Sequence, residues 1–217
     1  MAIKKLKMPS VERVMEYCSP EPYWIIPTEK GDWSLSSKLI LQIAPRHAPH
    51  YTSRDGFHAV SMPEYFDLFE GVYKLRNESS EVDSLRRFIR KAFMLSPLTL
   101  TSIDYMPAGK DIVTHNYKKG KRKIIREDIA GKEGLISKVL SINASLALTG
   151  KKPEEVGEIM QYIVWDPAYI CRSDVKPRER TKRLAGLSVS LNNKSTLGCR
   201  RDPYGLSDLF PVKFNPH

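Results

Sequence analysis

Two apolar stripes of helical period constrain this chain more than any other feature. Met62, Tyr65, Phe66, Phe69, Val72 and Tyr73 form the first, and Val82, Leu85, Phe88, Ile89, Ala92 and Phe93 the second. Spacings of three and four residues place each set on one side of an α-helix, which must then be buried against something. Ser61 and Pro63 carry start signals for the first helix, and Asn77-Glu78-Ser79-Ser80 separates it from the second. The pattern predicts a helical hairpin over about 62–94.

Around that hairpin the periodicity changes several times. Ser10 with Val11, Val14 and Met15 predicts a short N-terminal helix to about Tyr17, an appendage within residues 1–20. Residues 23–26 read as a buried strand ended by Pro27, while 33–43 fit strand or short helix equally. Asp55-Gly56 predicts a hairpin turn between 51–54 and 57–60. After Pro97, strands at 98–105, 111–117 and 123–126 suggest a three-stranded meander. Helical patterns return at 135–146, closed by Gly150, and at 153–164, stopped by Asp166-Pro167. Strands at 168–171, 184–191 and 195–200 complete the reading. Helices and strands do not alternate regularly, which disfavours a doubly wound parallel sheet. The expectation is a single α+β domain over 1–217 with a largely antiparallel sheet.

The net charge is +10, from 35 lysines and arginines against 25 aspartates and glutamates. Such an excess attracts polyanions: nucleic acid, an acidic membrane surface or an acidic protein partner. No apolar run approaches the length of a membrane span, so no membrane insertion is expected. Cys18, Cys171 and Cys199 are widely spaced and odd in number, with no CxxC pair, which suggests reduced thiols and a cytoplasmic setting.

Charge is densest in two runs. The first is Lys118, Lys119, Lys121, Arg122 and Lys123, bordered by Tyr117 and followed by Arg126. Gly120 makes it an exposed turn, where lysines can contact phosphates and the tyrosine can stack on a base. Lysines that blunt a strand edge against pairing produce the same pattern. The second run holds Arg172, Lys176, Arg178, Arg180, Lys182 and Arg183, with Pro177 marking a loop. Arginine's planar fork suits phosphate. Arg200 and Arg201 would enlarge this patch.

Other chemistry is weakly signalled. His47, His50 and His58 lie within twelve residues, but no helical zinc motif frames them, and structural or solvent-exposed histidines are the favoured reading. Asp104, Asp111, Glu127 and Asp128 near Lys123 would suit a nuclease-like site only if they converged on one ion. No nucleophile elbow, phosphate loop or dinucleotide fingerprint occurs, so no catalytic residue, metal or cofactor is implied. Trp24, Trp33 and Trp165 are expected to anchor the rim of the core.

The expected function is nucleic-acid binding through the phosphate backbone, with RNA preferred over DNA because an aromatic and an amide flank the basic turn. The rivals are an enzyme acting on a phosphate-bearing substrate, with His115 or a carboxylate as base, and a module for an acidic protein partner.

Overall fold

The computed structural model describes residues 12–14, 23–36, 40–43, 56–78, 80–94, 97–116, 123–170, 177–189, 195–200, 207–209 and 212–216. The chain folds as an α+β structure with mainly antiparallel sheets. Its N-terminal part contributes β1 (Glu12–Val14), β2 (Tyr23–Thr28), β3 (Gly31–Ser36) and β4 (Ile40–Ile43). The helical hairpin follows as α1 (Met62–Lys74) and α2 (Ser80–Met94). The meander is β5 (Leu98–Tyr105), β6 (Asp111–His115) and β7 (Lys123–Glu127). Then come β8 (Gly134–Leu135), α3 (Ile136–Val139), α4 (Ile142–Thr149) and α5 (Pro153–Val164). The last strands are β9 (Ala168–Ile170), β10 (Thr181–Val189), β11 (Ser195–Arg200), β12 (Ser207–Leu209) and β13 (Val212–Pro216).

Seven strands form the main sheet in the order β7-β6-β5-β10-β11-β9-β8, with only β9 and β11 parallel. A second sheet has the order β1-β2-β3-β13, and β4 pairs with β12. Helices α1, α2, α4 and α5 pack on one face of the main sheet, with α1 also against β2 and β12 against β5. Tyr65, Phe66, Phe69, Leu85, Ile89 and Phe93 from the hairpin are fully buried with Ile103 and Val113 of the sheet and Ile159 and Ile163 of α5.

Local chemistry explains the helix ends. The Glu64 carboxylate accepts from the Ser61 backbone N–H at 2.7 Å and from its hydroxyl at 2.6 Å, which fixes the start of α1. Ser141 Oγ accepts from Ala144 N–H at the start of α4, and Gly150 ends that helix in the left-handed region at φ 74°.

Three expectations need correction. Residues 12–14 form strand β1 rather than part of a helix, because they pair with Tyr23–Ile25 of β2. Pro27 does not end its strand. Among the described residues, β1 pairs only as far as Ile25, and on the other side Pro27 lies opposite Asp32 of β3. The ambiguous stretch 33–43 contains strand at both ends, β3 and β4. Of the hairpin expected at 51–60, residues 56–60 are described and form no strand; His58 instead bridges to Val212.

Candidate nucleic-acid interface

Strand register sorts the basic residues by face. Arg183, Ile103, Val113 and Ile125 lie in one row across β10, β5, β6 and β7. Ile103 and Val113 are core residues, so this row belongs to the helix-covered face. The adjacent row reads Lys182, Asp104, Ile112 and Arg126, and strand alternation turns it to the opposite face. Arg126 of the first basic run and Lys182 of the second therefore stand at one height on one face. Three inter-strand steps separate them, about 14 Å.

Further cations gather at this end of the sheet. Lys110, in the turn between β5 and β6, lies 3.4 Å from Glu127. With Arg126, Met106, Ala108, Gly109 and Ile112 it lines a shallow cavity of about 310 Å³. Arg178 and Arg180 immediately precede β10, whose first residue pairs with the last of β5. The Arg180 guanidinium donates to the buried Asp104 carboxylate at 2.7 Å. Ile124, on the same face as Arg126, is an exposed apolar side chain.

The remaining described members of the two runs separate from this group. Lys123 pairs in register with His115, and Arg183 with Ile103, so both belong to the helix-side face. Tyr117, Lys118, Lys119, Lys121, Arg122, Arg172, Lys176 and Arg201 lie outside the described residues, as do His47 and His50.

The acidic residues of the nuclease-like reading do not converge. Asp104 and Asp111 fall in alternate rows and so on opposite faces of the meander. Asp111 is fully buried and serves as a tie. Its Oδ1 accepts from Met106 N–H, and its Oδ2 accepts from Ile129 and Ala130 N–H at 3.0 and 2.6 Å. Glu127 is held by Lys110, and Asp128 is exposed. Among the described residues no group of His, Cys, Asp and Glu is arranged to hold a metal ion.

His115 is likewise structural. Its Nε2 faces the Ala147 carbonyl at 2.8 Å and its Nδ1 faces Thr101 Oγ1 at 2.9 Å. A carbonyl only accepts, so the proton sits on Nε2. Thr101 then donates to Nδ1 while accepting from Met62 N–H. Burial lowers the His115 pKa, with the nearby Lys123 charge adding to the effect, while the bond to Ala147 opposes it. A neutral ring that already uses both nitrogens is not a free base.

The tryptophans divide. Trp24 and Trp33 are buried, as expected of core anchors, but Trp165 is 51% exposed. It caps α5 from the left-handed region at φ 64°. Arg90 and Arg86 of α2 place their guanidinium carbons 4.2 and 4.9 Å from its ring centroid. Arg86 also lies 4.9 Å from the Tyr162 ring, Tyr162 meets Tyr73 edge-on at 5.8 Å, and Arg76 sits 4.2 Å over Tyr73. Burial raises the Tyr162 phenol pKa, while the neighbouring arginines pull it down. This ladder of arginines and rings escaped the sequence reading. The four-residue spacing of Arg86 and Arg90 was its one visible sign, and pairing with α5 could not be read locally.

A cavity of about 750 Å³ lies between α1, the β2–β3 hairpin and β13. Pro27, Trp33, Leu75 and Phe214 give it apolar walls, and Glu29, Asp32, Glu64, Asp67 and Glu70 an acidic rim. Lys151 joins Asp67 at 2.7 Å and Glu70 at 2.5 Å, and Lys74 joins Glu70 at 3.0 Å. Burial alone would raise the Glu70 pKa, but hydrogen bonds from Lys151 and Lys74 overcome it and hold the carboxyl below its ordinary value. Lys30 and Lys74 line it as well, so in a chain of net charge +10 this groove carries more acid than base.

No protein-family model matches the sequence, and neither a curated protein nor a solved structure matches it. Among the described residues no helix is long and apolar enough to cross a membrane.

Proposed function

We propose that this protein binds nucleic acid, RNA in preference to DNA, by gripping the phosphate backbone in a reducing, cytoplasmic setting. The contacts come from Lys118, Lys119, Lys121, Arg122, Arg126, Arg172, Arg178, Arg180 and Lys182, with Tyr117 stacking beside them. The supporting observation is the row that sets Arg126 and Lys182 at one height on one face, with Lys110 and Arg180 at the same end of the sheet. Arg126 and Lys182, 56 residues apart in sequence, thereby share one face. The exposed Ile124 beside Arg126 offers apolar contact to a base or sugar. Little base-edge readout is implied, so affinity depends on salt more than on sequence.

The enzymatic alternative is weaker, because Asp104 and Asp111 face opposite ways and Asp111 is consumed by three backbone N–H groups.

Fluorescence anisotropy with labelled single-stranded RNA and duplex DNA, between about 50 and 200 mM salt, tests the reading. Wild type is expected to bind RNA with a steep salt dependence. The Arg126→Ser/Lys182→Ser variant removes two phosphate contacts and should flatten the single-strand slope by about 1.4. Absence of binding to either nucleic acid at the lowest salt would overturn the proposal.

A further inference from the structure

The indole of Trp165 stands half open to solvent on a left-handed backbone. A bulky side chain is disfavoured in the left-handed region, where glycine is the usual residue just past a helix. Half of its surface remains open to solvent. The surroundings are equally specific. Arg86 and Arg90, one helical turn apart on α2, both rest against this ring, and Arg87 and Lys91 stand exposed on the same helix. The ring quadrupole attracts guanidinium groups without cancelling their charge. Asp83 takes part of Arg86 at 3.1 Å, and Glu158 accepts from the Tyr73 hydroxyl.

We propose that Trp165, backed by Arg86 and Arg90, is a base-stacking platform for single-stranded nucleic acid. The inference rests on the nucleic-acid reading above and narrows it to strands with unpaired bases. Every base presents a flat π-face to an indole, whatever its sequence, and guanidinium groups beside the ring can reach the adjoining phosphate. A duplex keeps its bases stacked internally and cannot offer that face. The ladder lies on the helix layer, across the molecule from the Arg126–Lys182 face, because α2 packs on the opposite side of the main sheet. It is thus a second contact region, separable by mutation.

The test uses the full chain and an unstructured uridine-rich RNA, a DNA duplex of similar length, and vesicles of phosphatidylserine and phosphatidylcholine. Trp165→Gly relieves the left-handed strain but gives up the ring's contacts with Arg86 and Arg90, and its melting curve should still show one cooperative transition. Its affinity for the single strand should fall about tenfold, with duplex affinity unchanged. Trp165→Phe should restore much of the loss, and Arg90→Gln should weaken single-strand binding without unfolding the chain. Tryptophan fluorescence of wild type should quench on adding the RNA, since Trp24 and Trp33 are buried. Single-strand affinity untouched in both Trp165→Gly and Arg90→Gln would overturn the platform while leaving the phosphate-binding surface standing. No nucleic-acid binding by wild type would overturn the reading beneath it. Trp165-dependent binding to the vesicles, with RNA affinity indifferent to Trp165, would identify an anionic membrane surface instead and overturn the proposal.

Discussion

Helix α1 borders two surfaces that handle charge in opposite ways. On one side, in the groove beside the β2–β3 hairpin, Asp67 and Glu70 are bound to Lys151, and Glu70 and Glu29 to Lys74. On the other, Tyr73 and Arg76 begin the ladder that continues through Tyr162, Arg86, Trp165 and Arg90. In the groove, ammonium and carboxylate groups neutralise one another, and the local field serves the fold. In the ladder, guanidinium groups rest on aromatic rings that fix their position, and Arg86 also meets Asp83 at 3.1 Å. A count of lysines and arginines cannot separate these cases.

Removing Lys151 should break the groove's balance with the largest effect. Lys151→Met takes the shared cation from Asp67 and leaves Glu70 with Lys74 alone, and should destabilise the protein by about 2 kcal/mol in urea unfolding. The loss should shrink in acid. Glu70 is held below its ordinary value of 4.5, so its contribution is complete above that pH and disappears as the pH falls through the lower folded-state value.

Gly71 and Gly157 sharpen the comparison at the backbone. A Cβ at Gly71 would meet Thr28 Cγ2 at 2.9 Å and Ile26 Cγ2 at 3.0 Å, closing α1 against β2 at the groove. Gly71→Ala should cost about 1–2 kcal/mol. Gly157, in α5, has open space around that position, and Gly157→Ala should gain about 0.5–1 kcal/mol in the same assay. Arg90→Gln, in the ladder, should change stability by less than about 1 kcal/mol, because it removes one partly exposed cation–π contact.

The pH response of the sheet provides a subtler check. His115 is neutral in the fold, with its pKa lowered chiefly by burial, whereas the unfolded chain takes up a proton near 6.5. More protons are then bound to the unfolded state, so stability should decline as pH falls below 6.5 towards the folded value. Urea midpoints measured across that range should show the decline in wild type and lose that component in His115→Gln.

Much of the fold was legible, for reasons tied to particular residues. The stripes ending at Tyr73 and Phe93 mark α1 and α2, since burial on one helical face leaves a periodic trace. Pro-Ala-Gly at 107–109 separates β5 from β6. Strand β1 was misread because Val11, Val14 and Met15 have helical spacing, while pairing with β2 decides the matter from outside the window. Strand β13 went unread for the same reason, since its partner β3 lies about 180 residues earlier. The basic residues were visible as composition, but their division between two faces depends on register. The half-exposure of Trp165 was not legible, because proximity to a turn says nothing about exposure.

The most direct measurement is photocrosslinking of single-stranded RNA to the full chain, followed by mass-spectrometric mapping of the linked peptides. Crosslinks should fall on the peptide containing Trp165 and on those carrying Arg126 and Lys182, with none on the peptides that line the acidic groove. Absent crosslinks, or crosslinks confined to the groove peptides around Glu29 and Glu70, would contradict the account.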